Sequence, residues 1–307
     1  MVHLIVDGHN LAYRVIYATG GADPSAAVLA FIRSLGWFVG PHGAAPVQRI
    51  SVVWDGARSR RRLELYPEYK QTRRTKPETD AERRVRKTRD AIVRVLRDLL
   101  PHLGIRSILL PDHEGDDVIA LVTRLIPEPI MILSSDRDFF QLLDHRVHQW
   151  VPNESDMGHG AFTAGDLEFG NDAFLLRKAL VGDQSDNIRG VPKIGEKRSD
   201  TAIRDCWLKT RHRSEFLFAC SRHASKPIRE IPQHAAVIER NFQLMDLWLT
   251  EFREDEARAL LDVLSRLMRV DVRESSKVLF HYFALPMARQ VVSELAQSFG
   301  NFQRIAP

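Results

Sequence analysis

Two carboxylate clusters stand out between residues 107 and 143. Glu114, Asp116 and Asp117 form the first, and Asp136 and Asp138 form the second. Each follows a short apolar run, I-L-L at 108–110 and I-M-I-L at 130–133. An apolar run, a polar turn and then a helical pattern make the βα unit of a parallel sheet. Residues at the ends of such runs lie at the C-terminal edge of the sheet, where open α/β folds place their ligands. Like charges gathered at short range repel strongly. Acidic groups converging on one edge therefore call for a cation, and oxygen donors suit a hard one such as Mg²⁺ or Mn²⁺.

Other acids extend the pattern. Residues 2–6 read as a buried strand that ends at Asp7. A lone Asp after a strand is more often a helix N-cap than a ligand. The run I-S-V-V-W-D-G ends in the same way on Asp55, and two parallel strands each closing on Asp weaken the capping explanation. Asp183 and Asp186 stand three apart, a spacing that one helical turn would place on one side. Directly after them comes Gly190-Val191-Pro192-Lys193-Ile194-Gly195. This resembles a helix–hairpin–helix turn, whose exposed backbone N–H groups bind phosphate without reading sequence. Many loops contain such a glycine pair, but its place after an acidic pair makes it more specific.

The elements that must position these groups follow from periodicity and composition. The chain has 307 residues, 44% of them hydrophobic, enough for one large core or two modest ones. Residues 25–38 predict an amphipathic helix with Val28, Ile32 and Leu35 inward, and 173–181 predict another. Residues 255–270 place Leu260, Leu261, Leu264, Leu267 and Met268 at helical spacing, which reads as core. Cys206 and Cys220 are the only cysteines, and packing as reduced thiols of a cytoplasmic protein is the preferred reading. No run approaches the roughly 18 apolar residues of a membrane span. The net charge of +4 hides an uneven distribution. Residues 58–97 carry fifteen Lys and Arg against six Asp and Glu, a surplus of nine, so the rest of the chain is acidic. A charge run is as often only a solvated helix face. Here the surplus has one sign and encloses Tyr66 and Tyr69, a combination suited to phosphate neutralisation and base stacking on nucleic acid.

D-G-H-N-L-A-Y-R, V-V-W-D-G, P-E-Y-K, E-G-D-D-V, S-S-D-R-D and G-D-Q-S-D-N-I-R-G-V-P-K-I-G-E-K-R occur in one order along the chain. Together they resemble the 5′-nuclease (flap endonuclease) superfamily, most closely the free-standing bacteriophage-type 5′→3′ exonucleases and the 5′-nuclease domain of bacterial DNA polymerase I. The resemblance runs from residue 2 to about 204, continues faintly to Asp246 and then lapses. It implies an α/β fold: a three-layer, PIN-like 5′-nuclease core with a parallel sheet over 1–172, and a helical arch inserted at 58–97. A helical C-terminal region over 173–307 would carry a helix–hairpin–helix at 182–204. It implies metal ligation by Asp7, Asp55, Glu114, Asp116, Asp117, Asp136, Asp138, Asp183 and Asp186, holding two Mg²⁺ or Mn²⁺ ions. It places Lys70 and Arg73 at the foot of the arch, in contact with the scissile phosphate or the 5′ end. Arg14, Tyr69, Arg84, Gly190, Val191, Lys193, Gly195 and Lys197 would contact DNA, with K⁺ at the hairpin in relatives. Lys193 departs from the pattern, standing where relatives usually carry Gly.

The activity this implies is metal-dependent 5′→3′ exonuclease and flap endonuclease cleavage of DNA, or of RNA primers, during replication or repair. A cytoplasmic monomer in a bacterial or phage-infected cell is expected. A PIN-type ribonuclease and a catalytically weak DNA-binding relative are the alternatives. Against the first stand the basic insertion and the turn after Asp186; against the second stands the full set of nine acids.

Overall fold

Strand β1 (Val2–Asp7) lies between β2 (Val47–Trp54) and β4 (Ile130–Leu133), parallel to both, with Ile5 opposite Ser51 on one side and Ile132 on the other. β3 (Arg106–Leu109) extends the sheet beyond β2 and β5 (Val147–Val151) beyond β4, also in parallel. β6 (Gly160–Phe162) closes the far edge antiparallel to β5, giving the order β3-β2-β1-β4-β5-β6. This computed structural model describes residues 1–39, 46–71, 77–152 and 160–283. The chain leaves β1 in one direction to build β2 and β3, then returns to build β4 and β5 on the other side. The reversal opens a crevice at the C-terminal ends of β1 and β4.

Both faces of the sheet are covered, which is why its strands read as unbroken apolar runs. Leu4, Val6, Val52, Trp54 and Leu133 pack on one face against α1 (Gly8–Ala18), α2 (Pro24–Val39) and α4 (Asp80–Leu99), which follows the short α3 (Arg60–Leu65). Ile5, Val53, Ile108, Ile130 and Ile132 point the other way, onto α5 (Gly115–Leu125). The alternation of Leu4, Ile5 and Val6 between faces is the two-residue period of a strand. Three layers, helix–sheet–helix, result.

A third core belongs to the helical region. It joins α6 (Asn171–Val181), α7 (Glu196–Ala202), α8 (Arg213–Ser221) and α9 (Ala235–Met245), and it also takes in Tyr66 and Tyr69 from the basic segment. Cys206 and Cys220 are buried there as free thiols. Between α6 and α7 runs a small antiparallel pair, β7 (Gly182–Asp183) and β8 (Ile188–Arg189). The chain then returns to the sheet layers. In α10 (Glu254–Ser265), Leu260 and Leu264 join the α5 face, and Leu279 of α11 (Val272–Phe283) joins the α4 face.

Two expectations need adjustment. The leucine stripe at 255–270 is only half a core face, since Leu261 is 45% and Leu267 80% exposed. α10 stops at Ser265, so Leu267 lies beyond it, while Leu261 sits a residue round from the buried Leu260–Leu264 row. Asp183 and Asp186 do not share a helical turn. Gly182, at φ +81°, ends α6, and the two acids sit in β7 and the turn after it.

Ile132→Ala, at a fully buried position in β4, is expected to lower unfolding free energy by about 2–5 kcal/mol. Leu267→Ala should change it by less than about 0.5 kcal/mol. Urea unfolding of the two variants checks the division between core and surface.

Candidate metal centre

The C-terminal edge of the sheet forms one wall of a cavity of about 460 Å³. Eight of the nine expected carboxylates line it: Asp7, Asp55, Glu114, Asp116, Asp136, Asp138, Asp183 and Asp186. Asp7 ends β1 and caps α1, its Oδ1 accepting from the Asn10 amide (3.0 Å) and its Oδ2 from the Ser134 hydroxyl (2.9 Å). Capping and cavity lining thus coexist at this residue. Asp55, just past β2, accepts the Gly115 amide through Oδ1 (2.8 Å). A Cβ on residue 115 would stand 2.7 Å from that oxygen, so this contact requires glycine. Asp136 follows β4 and accepts the Asp138 amide (2.8 Å), while its own amide donates to Ser134 Oγ (3.0 Å). Asp183 Oδ1 accepts from both the amide (2.8 Å) and the hydroxyl (2.7 Å) of Ser185, closing the β7–β8 turn that brings Asp186 to the cavity.

Two lysines enter this acidic space. Lys70 Nζ lies 3.0 Å from Glu114 Oε2 and 3.7 Å from Asp186. Its backbone is left-handed (φ 53°), and its amide donates to the Asp186 carbonyl (2.8 Å). Burial opposes its charge, but Glu114, Asp186 and Asp116 outweigh burial and hold its pKa above the usual lysine value. Lys178, on α6, bridges Asp138 and Asp183, the latter at 3.2 Å. Burial works against that ammonium too, and Asp138 more than compensates. At Asp183 burial raises the carboxyl, and Lys178 with the Ser185 hydroxyl brings it below its ordinary value.

The carboxylates across the cavity are less well neutralised. Burial, with the charges of Asp55 and Asp136 added, pushes Asp7 up to about 7 despite its hydrogen bonds. Burial and the neighbouring Asp138 push Asp136 up to about 6. Among the described residues, eight carboxylates face the ammonium groups of Lys70 and Lys178 and the Arg58 side chain, a negative excess that divalent cations would relieve. An all-oxygen donor set fits Mg²⁺ or Mn²⁺.

Asp117 is placed differently. It shares a 4.8 Å neighbourhood of carboxylate oxygens with Glu114 and Asp116, yet it does not line the cavity. It is fully buried, and both its oxygens are taken by the Arg62 guanidinium at 2.7 Å, with the Thr250 hydroxyl a third donor at 2.6 Å. Tyr69 is also turned inward. It is 2% exposed and its hydroxyl donates to Glu114 Oε2 (2.9 Å), so its ring is not offered for base stacking. Arg14 donates to the Pro152 carbonyl (3.3 Å) and does not reach the cavity. Arg84 is exposed on α4. Lys193 (φ 65°) is exposed in the turn before α7 and Lys197 in the first turn of α7, and Gly195 has open space at its Cβ position. Val191 is buried, its amide spent on the Leu180 carbonyl (2.8 Å), and Gly190 packs against the backbone of Val181. Arg73 lies outside the described residues.

His9, Arg62 and Lys178 escaped the sequence reading. The Asp55 amide donates to His9 Nδ1 (3.1 Å), and His9 lines the cavity. Its place two residues after Asp7 was the available signal. Lys178, five residues before Asp183, offered another.

The raised values of Asp7 and Asp136 set a pH dependence. For a group whose folded value exceeds its ordinary 3.8, the stabilising contribution is complete below that value and is lost as pH rises through the folded value. In chelator, melting temperature should therefore fall between about pH 4 and 7 from these two groups. Mg²⁺ should restore it increasingly over the same interval, because the ionised forms bind the ion. Scanning calorimetry with and without Mg²⁺ at pH 5, 6 and 7.5 checks this. A Mg²⁺ effect independent of pH would contradict it.

Known proteins share this architecture. Residues 2–165 match the family described as 5′–3′ exonuclease, N-terminal resolvase-like domain. The thermostable DNA polymerase I of Thermus filiformis is 37% identical over 212 residues, which make up 66% of this chain and 23% of that protein. A 5′–3′ exonuclease of Buchnera aphidicola subsp. Acyrthosiphon pisum is 27% identical over 203 residues, 63% of this chain and 67% of that protein. The chain thus spans about a quarter of the length of the polymerases it matches. Among solved structures, a bacteriophage T5 flap endonuclease in complex with DNA and metal ions has a TM-score of 0.67 at 21% identity, covering 97% of this chain and all of that one. Human GEN1 in complex with Holliday junction DNA has a TM-score of 0.63 at 13% identity, covering 98% of this chain and 72% of that one. The family match covers more than half of the chain, and the chain belongs to the 5′–3′ exonuclease N-terminal, resolvase-like domain family.

Proposed function

We propose that this chain is a divalent-metal-dependent 5′ nuclease that hydrolyses DNA phosphodiesters near free or flapped 5′ ends. The observation that carries the proposal is the convergence of eight carboxylates on one cavity with Lys70 at its rim. Family membership and a fold shared with DNA-bound nucleases support it. Asp7, Asp55, Glu114 and Asp116 would hold one ion; Asp136, Asp138, Asp183 and Asp186 would hold the second. Bound there, Mg²⁺ or Mn²⁺ supplies an activated water and charge stabilisation at the phosphate.

The chain's own groups do the rest. Lys70 stays protonated through its carboxylate neighbours and presents its charge to the same cavity. It would neutralise negative charge on the reacting phosphate, with Arg73 as a second cation. The exposed basic face of α4, Arg84 included, would attract the backbone, as would Lys193 and Lys197 near the Gly190–Gly195 turn. That turn would act as a helix–hairpin–helix grip on duplex phosphates, with K⁺ a further candidate ligand. Arg14 would serve the DNA on the side of α1. RNA primers are a further substrate to test, and a monomer suffices for the site. No described helix is long and apolar enough to cross a membrane.

Asp116→Asn should lower the single-turnover rate on a 5′-flap substrate by about 100-fold or more, with DNA affinity kept or raised as repulsion of phosphate falls. Equal losses of binding and cleavage would point to a folding role for the acid. Lys70→Ala should cost about 100-fold in the same rate, well beyond its effect on affinity. Arg84→Ala should chiefly weaken binding and reduce the salt slope by about one. Quenched-flow cleavage at saturating enzyme, with affinities at several salt concentrations, separates the roles. Identical small affinity losses and unchanged rates for both cations would remove Lys70 from the site.

A further inference from the structure

Arg62 is one of the largest fully buried side chains in the protein, 1% exposed, although it comes from the most basic stretch of the sequence. Every arm of its guanidinium is used. Nε donates to the Leu244 carbonyl (2.8 Å), Nη2 to Asp117 Oδ1 (2.7 Å), and Nη1 to both Asp117 Oδ2 (2.7 Å) and Glu114 Oε2 (2.9 Å). Burial opposes the charge, and Asp116, Asp117 and Glu114 more than offset it, so Arg62 is held protonated. Thr250 anchors Asp117 from the C-terminal side (2.6 Å). One buried cation thus ties α3, the start of α5 and the chain around 244–250 together.

Its contact with Glu114 gives this tie a consequence. Glu114 Oε2 accepts three donors, from Arg62, Tyr69 and Lys70, all between 2.9 and 3.0 Å. Three donors on one oxygen fix the orientation of a carboxylate that lines the cavity. A free glutamate would cost conformational entropy each time it engaged a metal. Asp117 in turn holds the guanidinium that holds Glu114.

We infer that Arg62 and Asp117 form a positioning pair for the nuclease site: Asp117 is the counterion of Arg62 and not a metal ligand, and Arg62 orients Glu114 for the ion. This rests on the nuclease reading above and assigns one of its expected ligands to a different task. It also makes the base of the basic insertion part of the metal site's scaffold.

Removing Arg62 alone would strand a buried carboxylate and risk unfolding, so the deciding variant removes both partners. In Arg62→Met with Asp117→Leu, two well-packed apolar side chains replace a buried ion pair, an exchange that is often neutral for stability. Arg62→Lys keeps the charge but cannot span both carboxylates. Calorimetric Mn²⁺ titration, thermal melting and single-turnover flap cleavage are measured on both variants, on Asp117→Asn and on wild type. The double variant should melt near wild type, bind the same number of ions about 10–100-fold more weakly and cleave about 10–100-fold more slowly. Arg62→Lys should show the same kind of loss, and it decides the matter if the double variant does not fold. Wild-type ion affinity and cleavage in whichever of these two folds would overturn the inference, leaving the pair a packing device. Loss of one bound ion in Asp117→Asn would overturn it by making Asp117 a ligand. If wild type itself neither binds Mn²⁺ nor cleaves, the nuclease reading fails first, a result distinguishable from both.

Discussion

Crowding of negative charge at one sheet edge is the constraint on which the rest of this structure depends. Eight carboxylates around about 460 Å³ cannot all remain ionised without compensation. The protein compensates locally with hydrogen bonds from the amides of Asn10, Gly115, Asp138 and Ser185. Lys70 and Lys178 add positive charge on the side formed by the insertion and the helical region. The side nearest β1 and β4 is left under-compensated, as the raised values of Asp7 and Asp136 record. Such uncompensated charge costs stability, a trade common at functional sites, and under the proposed reading bound cations would supply the missing charge.

Each element can be understood by what it contributes to that edge. The reversal of strand order puts the ends of β1 and β4 side by side, and hydrogen bonds between Asn10 and Ser135 stitch the first turn of α1 to the loop after β4. The helical region supplies Asp183, Asp186 and Lys178, and its position is fixed by α9. There the buried Asn241 donates to the carbonyls of Ala179 and Arg189, on either side of the acidic turn (2.8 and 2.9 Å). The insertion supplies Lys70 and seats Tyr66 and Tyr69 in the helical core. Three cores therefore converge on one cavity.

Much of this was legible in the sequence because strand ends are punctuated there. Asp7, Asp55, Glu114, Asp116, Asp136 and Asp138 each follow an apolar run, and the run fixes both the strand and the edge it stops at. What periodicity cannot show is which way adjacent acids turn. Asp116 and Asp117 are neighbours in sequence but about 100° apart around α5, so one meets the cavity and the other a buried guanidinium. Arg62 was hidden among fifteen cations, since nothing local marks the one that will be buried by Leu244 and Asp117, which lie far along the chain. Asp183 and Asp186 were found by type, but their helical spacing misled, because Gly182 ends the helix with a left-handed backbone just before them. Leu267 was misread because α10 stops at Ser265.

The central claim is that the cavity is a two-ion centre built from eight acids and not nine. Anomalous diffraction from crystals soaked in Mn²⁺ tests it most directly. The account predicts two peaks inside the cavity, one within ligand distance of the Asp7, Asp55, Glu114 and Asp116 group and one near Asp136, Asp138, Asp183 and Asp186, with Asp117 still paired to Arg62. A cavity without manganese, or an ion coordinated by Asp117, would contradict it.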